Sequence, residues 1–254
     1  MKSKTWLIAL SIFLLLVVWQ LVTWLGSFPT FIIPSPAQVG IRFGQAIMDG
    51  SLLRNTVVTL LEVLLGLALG ISVATVLGYL LARSVRLERF LSPYIVASQS
   101  IPIVAIAPLL VIWFGPGLSS KVLVCALIVF FPVLVNTVVG VRSVPEDLRD
   151  LMRSLQATRW QTLKNLELPA ALPVFLGGLR IGATLAVIGA VVGEFVGAKS
   201  GLGFLVNVGR GVYDTALVFV AVFTLIAMAL ILYGLVALIE KRLLKWQQRP
   251  EDEA

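Results

Sequence analysis

The chain has 254 residues, 59% hydrophobic and 13% charged, with net charge +7 and mean hydropathy +1.00. A soluble domain carries about 25% charged residues, so bulk water is excluded as its main solvent, and apolar runs near ~20 residues argue for a membrane bundle. The chain has no histidine, the commonest metal ligand and general base, and its single cysteine, Cys125, lies in an apolar run, which excludes a disulfide framework.

The N-terminus carries Lys2 and Lys4 and then runs apolar from Trp6 to Leu25. A basic start before a greasy run can be a signal peptide, but this run is long for one and no small-x-small cleavage site follows cleanly. It predicts a retained first span. The full set of predicted spans is about 6–25, 56–81, 91–114, 121–141, 171–197 and 215–239, each near the ~20 residues a helix needs. Between the first two, Pro34-Ser35-Pro36 is a turn and helix-start signal, and Ile41, Phe43 and Ile47 after it suit a short interfacial helix. Gly66, Gly70 and Gly78 give the second span a stripe of small residues that permits close helix packing.

The third span holds Pro93, Pro102 and Pro108, so it is predicted to kink or partly unwind. Ser98, Gln99 and Ser100 precede Pro102 there. Polar side chains beside freed carbonyls suit a substrate path through an interrupted helix. They equally suit hydrogen bonds between helices, worth about 0.6 kcal/mol each.

Residues 142–170 form a polar insert holding nine of the chain's 33 charges. Ser143 to Glu146 and Thr158 to Gln161 both read as capping boxes. They predict two short helices at an angle, about 145–157 and 158–167, with Pro169 blocking continuation and marking the turn into the fifth span. The first helix places Leu148, Leu151, Met152 and Leu155 on one face, and the second presents Trp160, Leu163 and Leu166. Such a pair packs on the span ends, lies on anionic lipid, or docks into another protein's groove. Physics alone leaves these open.

Gly177, Gly178, Gly182, Gly189 and Gly193 repeat the small-residue stripe in the fifth span, which suits bundle and dimer contacts. Glu62, Arg180 and Glu194 are the intramembrane charges. Glu194 lies 14 residues beyond Arg180, roughly 21 Å along a helix, and Glu62 sits near the same depth as Glu194. Neither carboxylate is placed to pair with Arg180. Glu194 has Lys199, Arg210 or the Gly-rich turn after it as candidate partners, and structural pairing is expected over a proton relay. The tail 249–254, "RPEDEA", reads as a solvated, frayed end.

Orientation follows from the cations. With the N-terminus inside, fourteen Lys and Arg fall on the inner side and five on the outer, Arg180 being within a span. That predicts an N-in, C-in topology with the polar insert in the cytoplasm. No G-x-x-x-x-G-K-[ST] phosphate loop occurs, so ATP-driven work would need a separate ATPase chain. Nothing here marks a catalytic residue or a metal site, and no enzyme activity is expected.

The insert resembles the cytoplasmic loop of ABC-importer inner-membrane permeases. The family loop runs Glu-Ala-Ala, three residues, Gly, and later Leu-Pro. Here Asp150-Leu151-Met152 stands for Glu-Ala-Ala, Gln156 for the glycine, and Leu168-Pro169 ends it. The acid is kept as Asp, both alanines are larger and the glycine is lost. Ile33-Pro34-Ser35-Pro36 with Val39, "SQSIPIVAIAPLLVIWFGPGLSSK" (98–121) and "LPAALPVFLGGLRIGATLAVIGAVVGEFVGAKSGLGFLV" (168–206) resemble the sulfonate, taurine and nitrate permease group. The likeness covers about residues 30–240. "TLLEVLLG" (59–66), "RSLQATRWQTL" and "GAVVGEF" look closest to permeases for pyrimidine-type vitamin precursors and riboflavin.

The resemblance implies an all-α membrane protein of six spans with the type I ABC importer fold, multi-pass in a bacterial inner membrane. It implies residues 1–55 as first span and outer segment, 56–240 as transport domain with coupling helices 145–167, and 241–254 as cytoplasmic tail. Asp150, Arg153, Ser154, Leu155, Gln156, Ala157, Trp160 and Pro169 would couple to the ATPase. Ser98, Gln99, Ser100, Pro102 and Glu194 would line the substrate pathway. The implied partners are a cytoplasmic ABC ATPase dimer, an external solute-binding protein, a second copy of the chain and the bilayer, with no nucleic acid. ATP would bind the ATPase, leaving no cofactor on this chain. A heterocyclic vitamin or precursor (riboflavin, or a thiamine pyrimidine) is expected ahead of sulfonates or nitrate, because apolar spans with one buried cation suit a largely uncharged substrate. The rival of another class is a passive channel or membrane scaffold, which needs no ATPase.

Overall fold

The protein is described by a computed structural model covering residues 2–26 and 28–247; the tail expected to fray lies outside those residues. All regular elements in that range are helical. They are α1 (Lys2–Leu25), α2 (Pro36–Met48), α3 (Ser51–Arg83), α4 (Val85–Gln99), α5 (Ile103–Phe114), α6 (Leu118–Arg142) and α7 (Glu146–Ser154). After them come α8 (Arg159–Thr162), a π-turn (Leu163–Glu167), α9 (Leu168–Phe195), α10 (Leu202–Gly211) and α11 (Thr215–Leu243).

Among the described residues, α3, α6, the continuous run Arg159–Phe195 and α11 are long and apolar enough to cross a membrane. α4 and α5 make a further candidate as a pair bent by 95°. The break falls at residues 100–102, at Pro102, one of the three prolines expected to kink or unwind the third span, while Pro93 and Pro108 lie inside α4 and α5. α1 contributes a shorter apolar stretch, Phe13–Leu25. The 33 residues of α3 extend about 50 Å, longer than a hydrocarbon core of about 30 Å is thick.

The chain divides into two compact units, Met1–Val58 with Lys199–Ile226, and Thr59–Ala198 with Ala227–Ala254. In the first, Ser35 caps α2 through a full capping box with Gln38, as the Pro-Ser-Pro signal suggests. Ile41, Phe43 and Ile47 are exposed on α2. Trp19 of α1 donates to the Pro34 carbonyl at 3.1 Å and stacks on Phe219. Arg42 pairs with Asp214 at 2.7 Å.

The second unit is built around α6. Val124, Cys125, Val129, Val133 and Leu134 are buried along it. Hydrocarbon tails are as apolar as these side chains, so close van der Waals contact must hold the bundle. Glycines supply it. A Cβ on Gly66 of α3 would fall 2.2 Å from the Cys125 Cβ, and one on Gly189 of α9 would fall 2.8 Å from the Cys125 Cα. Gly70 and Gly193 make similar close approaches to α6. The two stripes therefore clasp α6 from two sides, and Cys125 is buried between them.

Candidate functional site

The polar insert folds differently at each end. Thr158 forms the expected box, its hydroxyl accepting from the Gln161 N–H at 3.3 Å and its own N–H donating to Gln161 Oε1 at 2.7 Å. Ser143 forms none: it ends α6 and its Oγ donates to the Gly140 carbonyl, leaving Pro145 to start α7 without a side-chain cap. α7 stops at Ser154, three residues short of the expected end. Its C-terminus closes on Gln156, whose φ of +50° is left-handed. Ala157 N–H donates to Met152 O at 3.0 Å and Gln156 N–H to Arg153 O at 2.9 Å, the paired bonds of a Schellman motif. Gln156 occupies the position where the family loop carries glycine, and the backbone there has the shape glycine favours.

Pro169 does not interrupt the chain. The backbone runs from α8 through the π-turn into α9 as one 37-residue helix. The expected turn is absent because the wider π-turn just ahead of Pro169 gives up the regular i→i−4 ladder, accommodating a residue that lacks an N–H.

The apolar face of α7 is uncovered within the chain. Leu148, Leu151 and Leu155 are exposed, and Trp160 on α8 is 69% exposed. Asp150 pairs with Arg153 at 2.6 Å, and the Ser154 hydroxyl bonds back to Leu151 O. The segment is strapped to the spans beneath it. Arg149 Nη2 donates to Val141 O of α6 at 2.7 Å. Buried Glu167, in the π-turn, accepts from Arg83 of α3 at 2.9 Å and from Tyr79 at 3.3 Å. Arg142 holds Glu88 of α4 with two bonds, at 2.7 and 2.6 Å. Sequence reasoning did not single out Glu167, Arg83 or the Arg142–Glu88 pair. The signal was available: a carboxylate at the root of the fifth span and an arginine at the end of the second lie on one predicted side.

Ser98 and Gln99 close α4, and Ser100 and Pro102 form the break before α5. Ser98, Gln99 and Ser100 are exposed, with Ser98 Oγ bonded to its own helix at Ile95 O. Glu194 lies in a different environment, fully buried on α9, where Thr59 Oγ1 donates to it at 2.6 Å. Buried Glu62 lies in the same neighbourhood, and Lys121 is the nearby cation. Lys121 Nζ donates to Pro116 O and Gly117 O at 2.6 and 2.9 Å. This polar knot ties α3, α6 and α9 together, and it holds no nucleophile–base pair. Arg180 pairs elsewhere, with Glu240 and the Tyr233 hydroxyl of α11, and its guanidinium lies 5.1 Å from the Tyr233 ring centre.

A family model described as the binding-protein-dependent transport system inner membrane component matches residues 66–245. The riboflavin transport system permease protein RibX of Chloroflexus aurantiacus is 50% identical over 237 residues, covering 93% of this chain and 88% of RibX. The formylaminopyrimidine transport permease protein ThiX of Halalkalibacterium halodurans is 36% identical, over 93% of this chain and 94% of ThiX. The taurine transport system permease protein TauC of Escherichia coli is 35% identical, over 91% and 86%. Among solved structures, the inward-facing MetNI methionine ABC transporter aligns with TM-score 0.66 and 20% identity, over 80% of this chain and 98% of that one. At that identity the likeness is one of fold.

Proposed function

Because the chain belongs to the binding-protein-dependent transport system inner membrane components, multi-pass permeases of ABC importers, we propose that it forms the translocation pathway for a small heterocyclic vitamin or vitamin precursor. Riboflavin leads and a thiamine pyrimidine precursor follows. The observation that carries this order is the 50% identity to RibX along nearly the whole chain, against 35% for the taurine permease.

Six spans in an N-in, C-in arrangement complete this reading, with α1 as the first span and the bent α4–α5 pair as the third. The fourteen-to-five partition of cations supports the orientation. The chain works as a homodimer with a cytoplasmic ATPase dimer, which binds the ATP, and with an external solute-binding protein. The exposed face of α7 and α8 is the coupling surface. Asp150, Arg153, Ser154, Leu155, Gln156, Ala157 and Trp160 lie on or beside it, and Pro169 lies in the root that carries its motion inward. When the ATPases close, the push on α7 and α8 passes through the Glu167–Arg83 and Arg149–Val141 contacts to α3 and α6. That couples ATP binding to a switch between outward- and inward-facing states. Ser98, Gln99, Ser100, Pro102 and Glu194 are the candidate pathway residues.

The test is binding of the cognate solute-binding protein to riboflavin, formylaminopyrimidine and taurine, followed by uptake of the tightest ligand into cells with and without this permease. Riboflavin or pyrimidine binding with permease-dependent uptake is expected. Tight taurine binding would reverse the substrate order, and uptake independent of any ATPase would favour a passive channel.

A further inference from the structure

Two cavities at the end of the bundle that carries α7 and α8 share Glu167 in their walls. One, of about 200 Å³, is lined by Arg83, Arg149, Arg153 and Arg159 together with Glu167. The other, of about 360 Å³, is walled by apolar side chains including Val76, Leu80, Leu168, Leu172 and Phe175, and it too reaches Glu167. We propose that together they bind an anionic phospholipid, its phosphate on the arginines and an acyl chain in the apolar cavity.

Charge counting favours an anion. Glu167 neutralises Arg83, and Asp150 neutralises Arg153. Arg149 and Arg159 are in no ion pair among the described residues. The Arg149 Nε is buried and has no acceptor, although its Nη2 is satisfied by Val141 O. The pocket therefore carries two uncompensated charges and a buried donor, and guanidinium suits phosphate oxygens in charge and geometry.

Position and shape favour a lipid over a free anion or an acidic protein side chain. The apolar cavity lies where α3, α6 and the root of α9 end. Val76 and Leu168 on its wall are 63% and 57% exposed, so it is open at the side. Clusters of arginine beside spans attract anionic headgroups. A free phosphate or a carboxylate from another protein would engage the arginines and leave the apolar cavity empty. The site is independent of which substrate crosses the membrane.

The experiment titrates the purified full-length chain in detergent with fluorescent phosphatidylglycerol and with phosphatidylcholine of the same acyl chains. Phosphatidylglycerol is expected to bind more tightly. Arg159→Gln should cost about fivefold in phosphatidylglycerol affinity, with Arg159→Lys restoring most of it. Val76→Trp, on the open wall, should weaken both lipids. Arg159 is exposed, so its variants should fold, and the cavity variant tests the other half of the site separately. Equal affinity for the two lipids would overturn the proposal, as would an Arg159→Gln chain that keeps its preference. Inorganic phosphate displacing the labelled lipid as well as unlabelled phosphatidylglycerol does would reduce the site to a free-anion pocket. Displacement by the ATPase subunit would assign the arginines to the protein interface instead.

Discussion

Gln156 holds a backbone conformation that costs an L-residue about 1 kcal/mol or more and costs glycine almost nothing. Gln156→Gly should therefore raise the thermal midpoint of the purified chain, by about 1 kcal/mol of stability, and an unchanged or lowered midpoint would show that the Gln side chain compensates locally. Glu167 is the opposite case, a buried carboxylate held by a charged partner and a tyrosine hydroxyl. Glu167→Ala should lower stability by about 1.5–3 kcal/mol, the range for hydrogen bonds to charged groups. It should also reduce ATP-driven transport more than substrate binding, because it cuts the strap between coupling segment and span. Equal loss of both activities would mark Glu167 as a folding residue only. The sequence showed that position 156 departs from the family loop. It did not show that the backbone there is left-handed, because φ at a helix end is set by how the chain leaves the helix.

At the scale of elements, α7 and α8 are held from below and bare above. Their own spans hold Arg149 through its Nη2 and Glu167 through Arg83, while Leu148, Leu151, Leu155 and Trp160 are exposed. Trp160→Ala combined with Gln156→Glu should abolish co-purification of the ATPase while leaving membrane insertion intact; retention of the ATPase at wild-type yield would remove the docking role. The first helix and the helix start at Thr158 were legible from apolar spacing and capping, but a separate second helix was not, because α8 runs on into α9. The Thr158 box formed because Gln161 lies three residues on and nothing competes for it. The Ser143 box failed because Ser143 is still attached to α6, whose Gly140 carbonyl takes its hydroxyl. Local motifs lose to a neighbouring helix that reaches the same donor first. The uninterrupted run through Pro169 was likewise illegible, since a π-turn has no firm sequence signature and removes the conflict a proline would otherwise create.

At the scale of the molecule, topology is the prediction with the plainest readout. The native thiol of Cys125 is buried, so a cysteine introduced at an exposed site can be labelled selectively. A membrane-impermeant maleimide should label Lys199→Cys from outside intact spheroplasts, and Lys164→Cys only after lysis. The reverse pattern would invert the proposed orientation. This expectation rests on apolar runs and the cation bias, because the bilayer reads composition over ~20 residues at a time.

The sequence by itself determined the solvent, the helical class, the long apolar helices and the family, all properties of local composition and spacing. Only the tertiary structure decided which scarce charges meet. Arg180 found Glu240, 60 residues away, and Arg83 found Glu167, 84 residues away. Glu62 and Glu194, expected at one depth, share a single buried knot with Thr59. A buried charge must have a partner, and that rule can be read from the chain. Which partner it takes depends on how helices cross, and here the crossing is set by glycines that let α3 and α9 close on α6.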